Sequence, residues 1–352
     1  MCGITGIVNL KKAPVKESVI KKMTAALAHR GPNGEGVWVE KNAGLGHRRL
    51  SIIDLSERGN QPMWNRDKNL VITFNGEIYN YLELKRELGG EYKSDSDTEV
   101  LLRAYEKWGE GCLQKLNGIF AFAIWDAKQQ TLFAARDHLG VKPFYYAVHK
   151  DALYFASEIK ALLKGGVPAR ANDQIIHDYL VYGFYDHSPE TFFDGINQLM
   201  PGHALTVKNG KISIRQYWNL AERIKSIKPV KLEDAPVEFL KLLKESVKIQ
   251  LRSDVPVGLS VSGGLDSSML TAVVHDLAKG QKNFDLFHFT YEGKEYESEI
   301  PAVKELAARL GWAAPIISEL KPRDIPALAD KIMWHEEQPY PGLPTFAWHK
   351  LY

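Results

Sequence analysis

The 352-residue sequence predicts a layered α+β domain over residues 1–220, a linker at about 221–235, and a partial α/β parallel-sheet domain over 236–352. Three observations lead there. The chain is longer than one average domain. Its first 220 residues are short apolar runs between turn signals, interrupted by two helical patterns. From about residue 236 the order changes to helix, strand, helix, strand, helix, the grammar of a parallel sheet.

Taken in order, ITGIVNL, LVITF, IFAFAIWD, TLFAARD, PFYYAV and ALYFAS are strand candidates by their β-branched and aromatic content. Residues 78–88 place Ile78, Tyr81, Leu82 and Leu88 on one helical face. Residues 97–108 do the same with Val100, Leu101, Ala104, Tyr105 and Trp108. AERIKSIKPVKLEDAP, residues 221–236, is charged, contains two prolines and shows no alternation, which marks the linker at about 221–235. Beyond it, Val237, Leu240, Leu243, Val247 and Leu251 predict an amphipathic helix. VPVGLSVS reads as a short buried strand, MLTAVVHDLA as a helix and FDLFHFTY as a strand. Ile300, Val303, Leu306 and Leu310 form the next helical face, and TFAWHKLY has the makings of another helix. So few strands would leave an open sheet edge, and the expectation is a piece of a longer protein.

Composition narrows the function. Apolar residues are 45%, charged residues 25%, and the formal net charge is +2, so neither nucleic acid nor an anionic membrane is expected as partner. No apolar run approaches the ~20 residues of a membrane span. The start has no basic segment leading into a long apolar stretch, so no secretory leader is expected. Two cysteines make no disulfide framework, which together predicts a cytoplasmic protein.

Cys2 is the most informative residue. Removal of Met1 would leave it with a thiol and a free α-amine, whose ordinary pKa of about 8 suits a base. Gly3 and Gly6 allow close backbone approach, and Ile4, Ile7 and Val8 tie the terminus into a strand. Asn75-Gly76 follows LVITF, where a side-chain amide and a backbone N–H could stabilise an oxyanion. A hairpin turn is the alternative, disfavoured by the helical period beginning at residue 78. Arg49 offers a fork for a substrate carboxylate. Ser96 and Glu99 have the spacing of a capping box, which leaves Asp97 to face a substrate ammonium. Cys112 reads as a buried structural thiol.

SGGLDSS, residues 262–268, lies between an apolar strand and an apolar helix. The N–H groups of Gly263, Gly264 and Leu265 and the hydroxyls of Ser262, Ser267 and Ser268 would surround a phosphate, and Asp266 could hold Mg²⁺. No Walker A lysine is present.

With MCGI, RGPNG, RRLSIID, QPM, FNGEIYN, SDTEV, GVKPFYY, ASEIKAL and SGGLDSS in this order, the chain resembles the glutamine-hydrolysing asparagine synthetases. The resemblance implies an N-terminal-nucleophile αββα sandwich, then a PP-loop nucleotide domain binding ATP and Mg²⁺. In its terms Cys2 is the nucleophile, Asn75 and Gly76 form the oxyanion hole, and Arg49, Asn75, Gly76, Glu77 and Asp97 bind glutamine. Leu259, Ser260 and Tyr291 contact adenosine. ATP adenylates the aspartate side chain, and ammonia from the first site displaces AMP; a homodimer is suggested. Asn33 and His138 depart from the aspartate and arginine usual in this pattern. The family's second glycine- and acid-rich loop and a later lysine have no counterpart in these residues. The expectation is a complete glutaminase site beside half a synthetase site. Alternatives are a related amidotransferase acting on another carboxylate, or a glutaminase alone.

Overall fold

A computed structural model describes residues 1–278, 284–293, 299–340 and 342–351. The chain forms two compact units, Met1–Lys228 and Pro229–Tyr352.

The first unit holds twelve strands: β1 Gly3–Asn9, β2 Gly34–Glu40, β3 Ala43–Arg49, β4 Met63–Trp64, β5 Leu70–Ile78, β6 Gly118–Asp126, β7 Thr131–Arg136, β8 Tyr145–His149, β9 Ala152–Ala156, β10 Ile196–Gln198, β11 His203–Lys208 and β12 Lys211–Gln216. Its helices are α1 Glu17–Ala25, α2 Tyr81–Leu88, α3 Asp97–Trp108, α4 Ile159–Lys164, α5 Asp173–Tyr182 and α6 Leu220–Lys225. The strands make two antiparallel sheets, ordered β10-β8-β9-β1-β3-β2 and β12-β11-β7-β6-β5-β4.

Alternation along β6 explains the layering. Phe120, Phe122 and Ile124 point to one face and pack with Leu84 of α2 and Val100, Leu101 and Ala104 of α3. Ala121, Ala123 and Trp125 point to the other and meet Ile4, Val8, Leu45 and Phe155 of the opposite sheet. Behind that sheet, Ile7 and Ala156 pack on Ile20 and Met23 of α1 and Leu162 of α4. The result is an αββα sandwich. Each large side chain buried this way contributes on the order of 1.5–3 kcal/mol, so the three clusters dominate the unit's stability.

The helix at 97–108 and the six strands of the sequence reading are present. Three local expectations differ. Asn75-Gly76 is neither turn nor turn-like; β5 runs through it to Ile78, paired with β6, and α2 starts only at Tyr81. Glu99 makes no capping box with Ser96: its carboxylate accepts the amides of Lys93 and Ser94, while Ser96 caps Thr98. Part of the 221–235 segment is helical, since α6 is N-capped by Asn219.

In the second unit α7 Ala235–Gln250 leads to β13 Gly258–Ser260, α8 Leu265–Leu277, β14 Asp285–Tyr291, α9 Ile300–Leu310, β15 Ile316–Leu320, α10 Ile325–Glu336 and α11 Leu343–Leu351. The three strands are parallel in the order β13-β14-β15. β13 is shorter and more exposed than VPVGLSVS suggested, because among the described residues it pairs with β14 alone and Pro256 has no amide to donate. On α7 only the C-terminal half of the apolar face is covered, by Val273 and Val274; Val237 is 70% exposed. Tyr352 of TFAWHKLY lies outside the described residues.

Candidate active site

β1 delivers Cys2 to its mouth. Gly3 pairs with Arg48 on β3, so Cys2 lies beside Leu50, the residue that follows that strand. Leu50 N–H donates to Cys2 Sγ across 3.3 Å, and the thiol faces Leu50 O at 3.5 Å. The strand can pass this close to its neighbours because Gly6 carries no side chain; a Cβ there would sit 2.1 Å from the Phe155 ring. Arg30 Nε donates to Cys2 O across 2.9 Å, and Arg30 Nη1 to Glu158 across 2.7 Å. Glu158 also takes His29 at 3.0 Å and Lys160 at 2.5 Å. Burial alone would raise this carboxyl; the hydrogen bond from His29 and the two cations outweigh it and hold it down to about 2.

Burial pushes the Cys2 thiol up, with the Leu50 amide pulling the other way. The amine beside it belongs to Met1 in this chain, and burial, then Arg30 and Lys142, lower it. A base in that place stays uncharged more readily than an ordinary amine.

Cys2, Arg49, Asn75, Gly76, Glu77 and Asp97 all line one cleft, together with Gln61 and Lys142. The edge of β5 forms its floor. Phe74 N–H donates outward to Gln61 Oε1 across 2.6 Å, and Ile78 N–H to Asp97 Oδ2 across 2.9 Å. Strand alternation turns the amide of Gly76, midway between them, to the same edge. Gly76 has to be glycine, since a Cβ would lie 2.2 Å from Ile119 O. Next to it, Asn75 Nδ2 is buried without a partner among the described residues. An orphaned buried donor beside an outward-facing amide is a pair of donors awaiting an acceptor.

Asp97 is 5% exposed, and burial pushes its carboxyl up to about 7 against the pull of the Ile78 amide. Glu77 is likewise raised by burial, with Lys142 opposing. Arg49 is buried, and Nη1 donates to Ser56 O at 2.6 Å and Asn60 Oδ1 at 3.0 Å while Nη2 donates to Asp54 O. Its fork therefore organises the 54–60 loop, leaving the Nε–H and one Nη2–H for anything in the cleft.

The SGGLDSS segment joins β13 to α8 as expected. Gly263 N–H donates to Glu299 Oε2 across 2.8 Å. Ser262 and Ser267 hydroxyls bond each other at 2.9 Å, and Gly264 N–H donates to Ser262 Oγ at 3.2 Å. The first turn of α8 has no side-chain cap. Ser260, Ser262, Ser267 and Tyr291 line one cavity with His288 and Glu299. Leu259 packs into the core, while Gly263, Gly264, Leu265 and Asp266 are exposed at the helix start and Ser268 bonds back to Gly264 O. No group of three metal-ligating side chains occurs among the described residues. Asp266 is an exposed carboxylate, an oxygen ligand of the kind a hard cation takes.

The residues read from sequence missed Arg30, Glu158 and Lys142. Each stands inside a quoted motif (RGPNG, ASEIKAL and GVKPFYY), but nothing in the spacing aims them at Cys2.

Comparison with known proteins bears on this arrangement. Residues 1–218 match a family model described as glutamine amidotransferase domain, and residues 238–351 one described as asparagine synthase. Asparagine synthetase [glutamine-hydrolyzing] 1 of Bacillus subtilis is 37% identical over 348 residues, covering 96% of this chain and 53% of that protein. A putative asparagine synthetase [glutamine-hydrolyzing] 2 of Methanocaldococcus jannaschii is 38% identical, covering 98% of this chain and 70% of that one. The chain thus spans about half the length of the first and more of the second. Among solved structures, the glutamine phosphoribosylpyrophosphate amidotransferase of B. subtilis aligns with a TM-score of 0.50 at 16% identity, over 91% of this chain and 90% of its own. That likeness concerns the fold.

Proposed function

The chain belongs to the glutamine-hydrolysing asparagine synthetase family, and from that premise we propose that its first unit, read as residues 1–220, hydrolyses glutamine at Cys2. Loss of Met1 frees the Cys2 α-amine, which takes the thiol proton as Sγ attacks the carboxamide carbon. The oxyanion forms against Asn75 Nδ2 and Gly76 N–H. When the tetrahedral adduct collapses, the C–N bond breaks, the amine returns its proton to the leaving nitrogen, and ammonia departs. Water then cleaves the thioester to glutamate. Arg49 takes the α-carboxylate of glutamine; Asp97, with Glu77, takes its ammonium, and that cation would draw Asp97 into its charged form. The observation that carries this reading is the buried, partnerless Asn75 Nδ2 beside the outward amide of Gly76.

Residues 236–352 form the ATP-binding part, after a linker at about 221–235. There Ser262, Gly263, Gly264, Leu265, Ser267 and Ser268 would cradle the phosphates, Asp266 would ligate Mg²⁺, and Leu259, Ser260 and Tyr291 would border adenosine. ATP supplies a leaving group for a carboxylate, and aspartate is the acceptor the family points to. Ammonia then makes asparagine. No described helix is long and apolar enough to cross a membrane, and Cys2 and Cys112 are both free thiols, which fits work in the cytoplasm.

The test is incubation with glutamine, aspartate, ATP and Mg²⁺, measuring glutamate and asparagine together. Both appearing in step supports the full reaction. Glutamate alone supports the Cys2 site with an acceptor other than aspartate, or a glutaminase by itself. No glutamate sinks the reading.

A further inference from the structure

Lys142 stands out among the groups lining the Cys2 cleft because it is a buried cation with almost nothing to bond. It is 7% exposed, and among the described residues its Nζ has one hydrogen-bond-range partner, the thioether of Met1 at 3.0 Å. Thioether sulfur is a weak acceptor, and no carboxylate of the described residues forms an ion pair with it. Buried ammonium groups are ordinarily paired, so an unpaired one has to be held in place by its surroundings.

They hold it firmly. The Asp137 carboxylate accepts the amides of Phe120, Leu139, Val141 and Lys142 at 2.9–3.2 Å. Arg136 Nε donates to Lys142 O at 2.8 Å, and Nη2 donates to Gly140 O at 2.8 Å. The 137–142 loop is therefore over-determined, and it delivers one charged side chain to the cleft. Met1 is the residue whose removal the glutaminase reading requires. Its loss strips Lys142 of that thioether and moves the α-amine to Cys2, which lines the same cleft as Lys142.

Resting on that glutaminase reading, we propose that Lys142 is a positioning residue of glutamine hydrolysis, whose charge keeps the Cys2 α-amine in its uncharged, proton-accepting form. The other charged groups around this amine leave the task open. Arg30 already bonds Cys2 O and Glu158. Glu158 is shared among Arg30, His29 and Lys160. Asp97 and Glu77, which line the same cleft, are both shifted by burial toward their protonated forms. Around the present N-terminal amine, burial lowers most, Arg30 and Lys142 act in the same direction, and the Cys2 thiol and Glu158 oppose.

The experiment compares wild type, Lys142→Met and Lys142→Arg, each with its processed N-terminus checked by intact mass. Initial glutamate release gives kcat and KM from pH 5 to 9. Removing a positive charge makes the amine easier to protonate, so the acid limb of kcat/KM in Lys142→Met should move up by roughly one pH unit, the reach of one charge across several ångströms of protein. KM for glutamine at the optimum should stay put, and Lys142→Arg should keep the wild-type limb. Lys142→Gln serves where the methionine variant does not fold, with the same shift expected. An unmoved limb in the neutral variants overturns the proposal, as does a raised KM with the limb in place, which would make Lys142 a glutamine ligand. Absence of glutamate from wild type would instead remove the glutaminase reading beneath it.

Discussion

Arg30 Nε donates to the carbonyl oxygen of Cys2 across 2.9 Å, so the backbone of Cys2 hangs from a guanidinium that is itself pinned to Glu158. The tether joins the turn that follows α1 to Glu158, the residue before α4.

Arg30→Met should remove that tether while Glu158 keeps His29 and Lys160. Loss of hydrogen bonds to a charged group costs about 1.5–3 kcal/mol, measurable by urea unfolding. The glutaminase rate should fall further than stability alone explains, by up to ~10²-fold, because the thiol loses its fixed position. Wild-type turnover in a folded variant would show that the tether is structural only.

Asn75→Ala separates binding from chemistry. The amide nitrogen has no partner among the described residues, so its removal should leave stability almost unchanged. As an oxyanion donor it should be worth about 10²–10³ in kcat, with KM nearly constant. A raised KM with kcat intact would place Asn75 in ground-state binding.

Asp97 and His47 should make opposite contributions to stability between about pH 4 and 6.5. Burial raises Asp97 from its ordinary 3.8 to about 7, so the folded form holds a proton the unfolded chain has lost, and stability falls as pH rises through that window. Burial lowers His47 from 6.5 to about 3, so the unfolded chain binds the extra proton, and stability falls as pH drops. Each slope is about 1.4 kcal/mol per pH unit, and where the windows overlap they cancel. Asp97→Asn keeps an acceptor for the Ile78 amide but removes the titration. Its stability should climb with pH from 4 to 6.5 and exceed wild type at pH 7.5, while KM for glutamine rises. Parallel urea curves for the two proteins across that range would contradict the assignment.

Asp266→Asn tests the second unit. If this carboxylate meets Mg²⁺ at the start of α8, calorimetric titration should show weaker binding of MgATP and little change for ATP in EDTA. Equal losses for both would point to a folding defect or to a direct phosphate contact.

Much of this was legible in the sequence because its signals are local. Periodicity marked α3 from Asp97 to Trp108, and β-branched runs marked β1, β5, β6, β7 and β9. β3 escaped notice because Gly44 and Gly46 break its apolar alternation; their missing side chains are what let Ile20 and Thr24 of α1 press against the strand. Asn75-Gly76 carries a turn signature, yet pairing with β6 overrides it, and an extended backbone is what turns the Gly76 amide outward. Lys142 and Arg30 were illegible because burial and orientation come from tertiary packing 141 and 28 residues away in sequence from their N-terminal partners.

Glutamate release by wild type and Cys2→Ala, assayed side by side with glutamine alone, tests the central claim most directly. Wild type should produce glutamate and ammonia in equal amounts, and the variant none, with the two proteins unfolding at the same urea concentration. Equal release from both would mean that Cys2 is not the nucleophile.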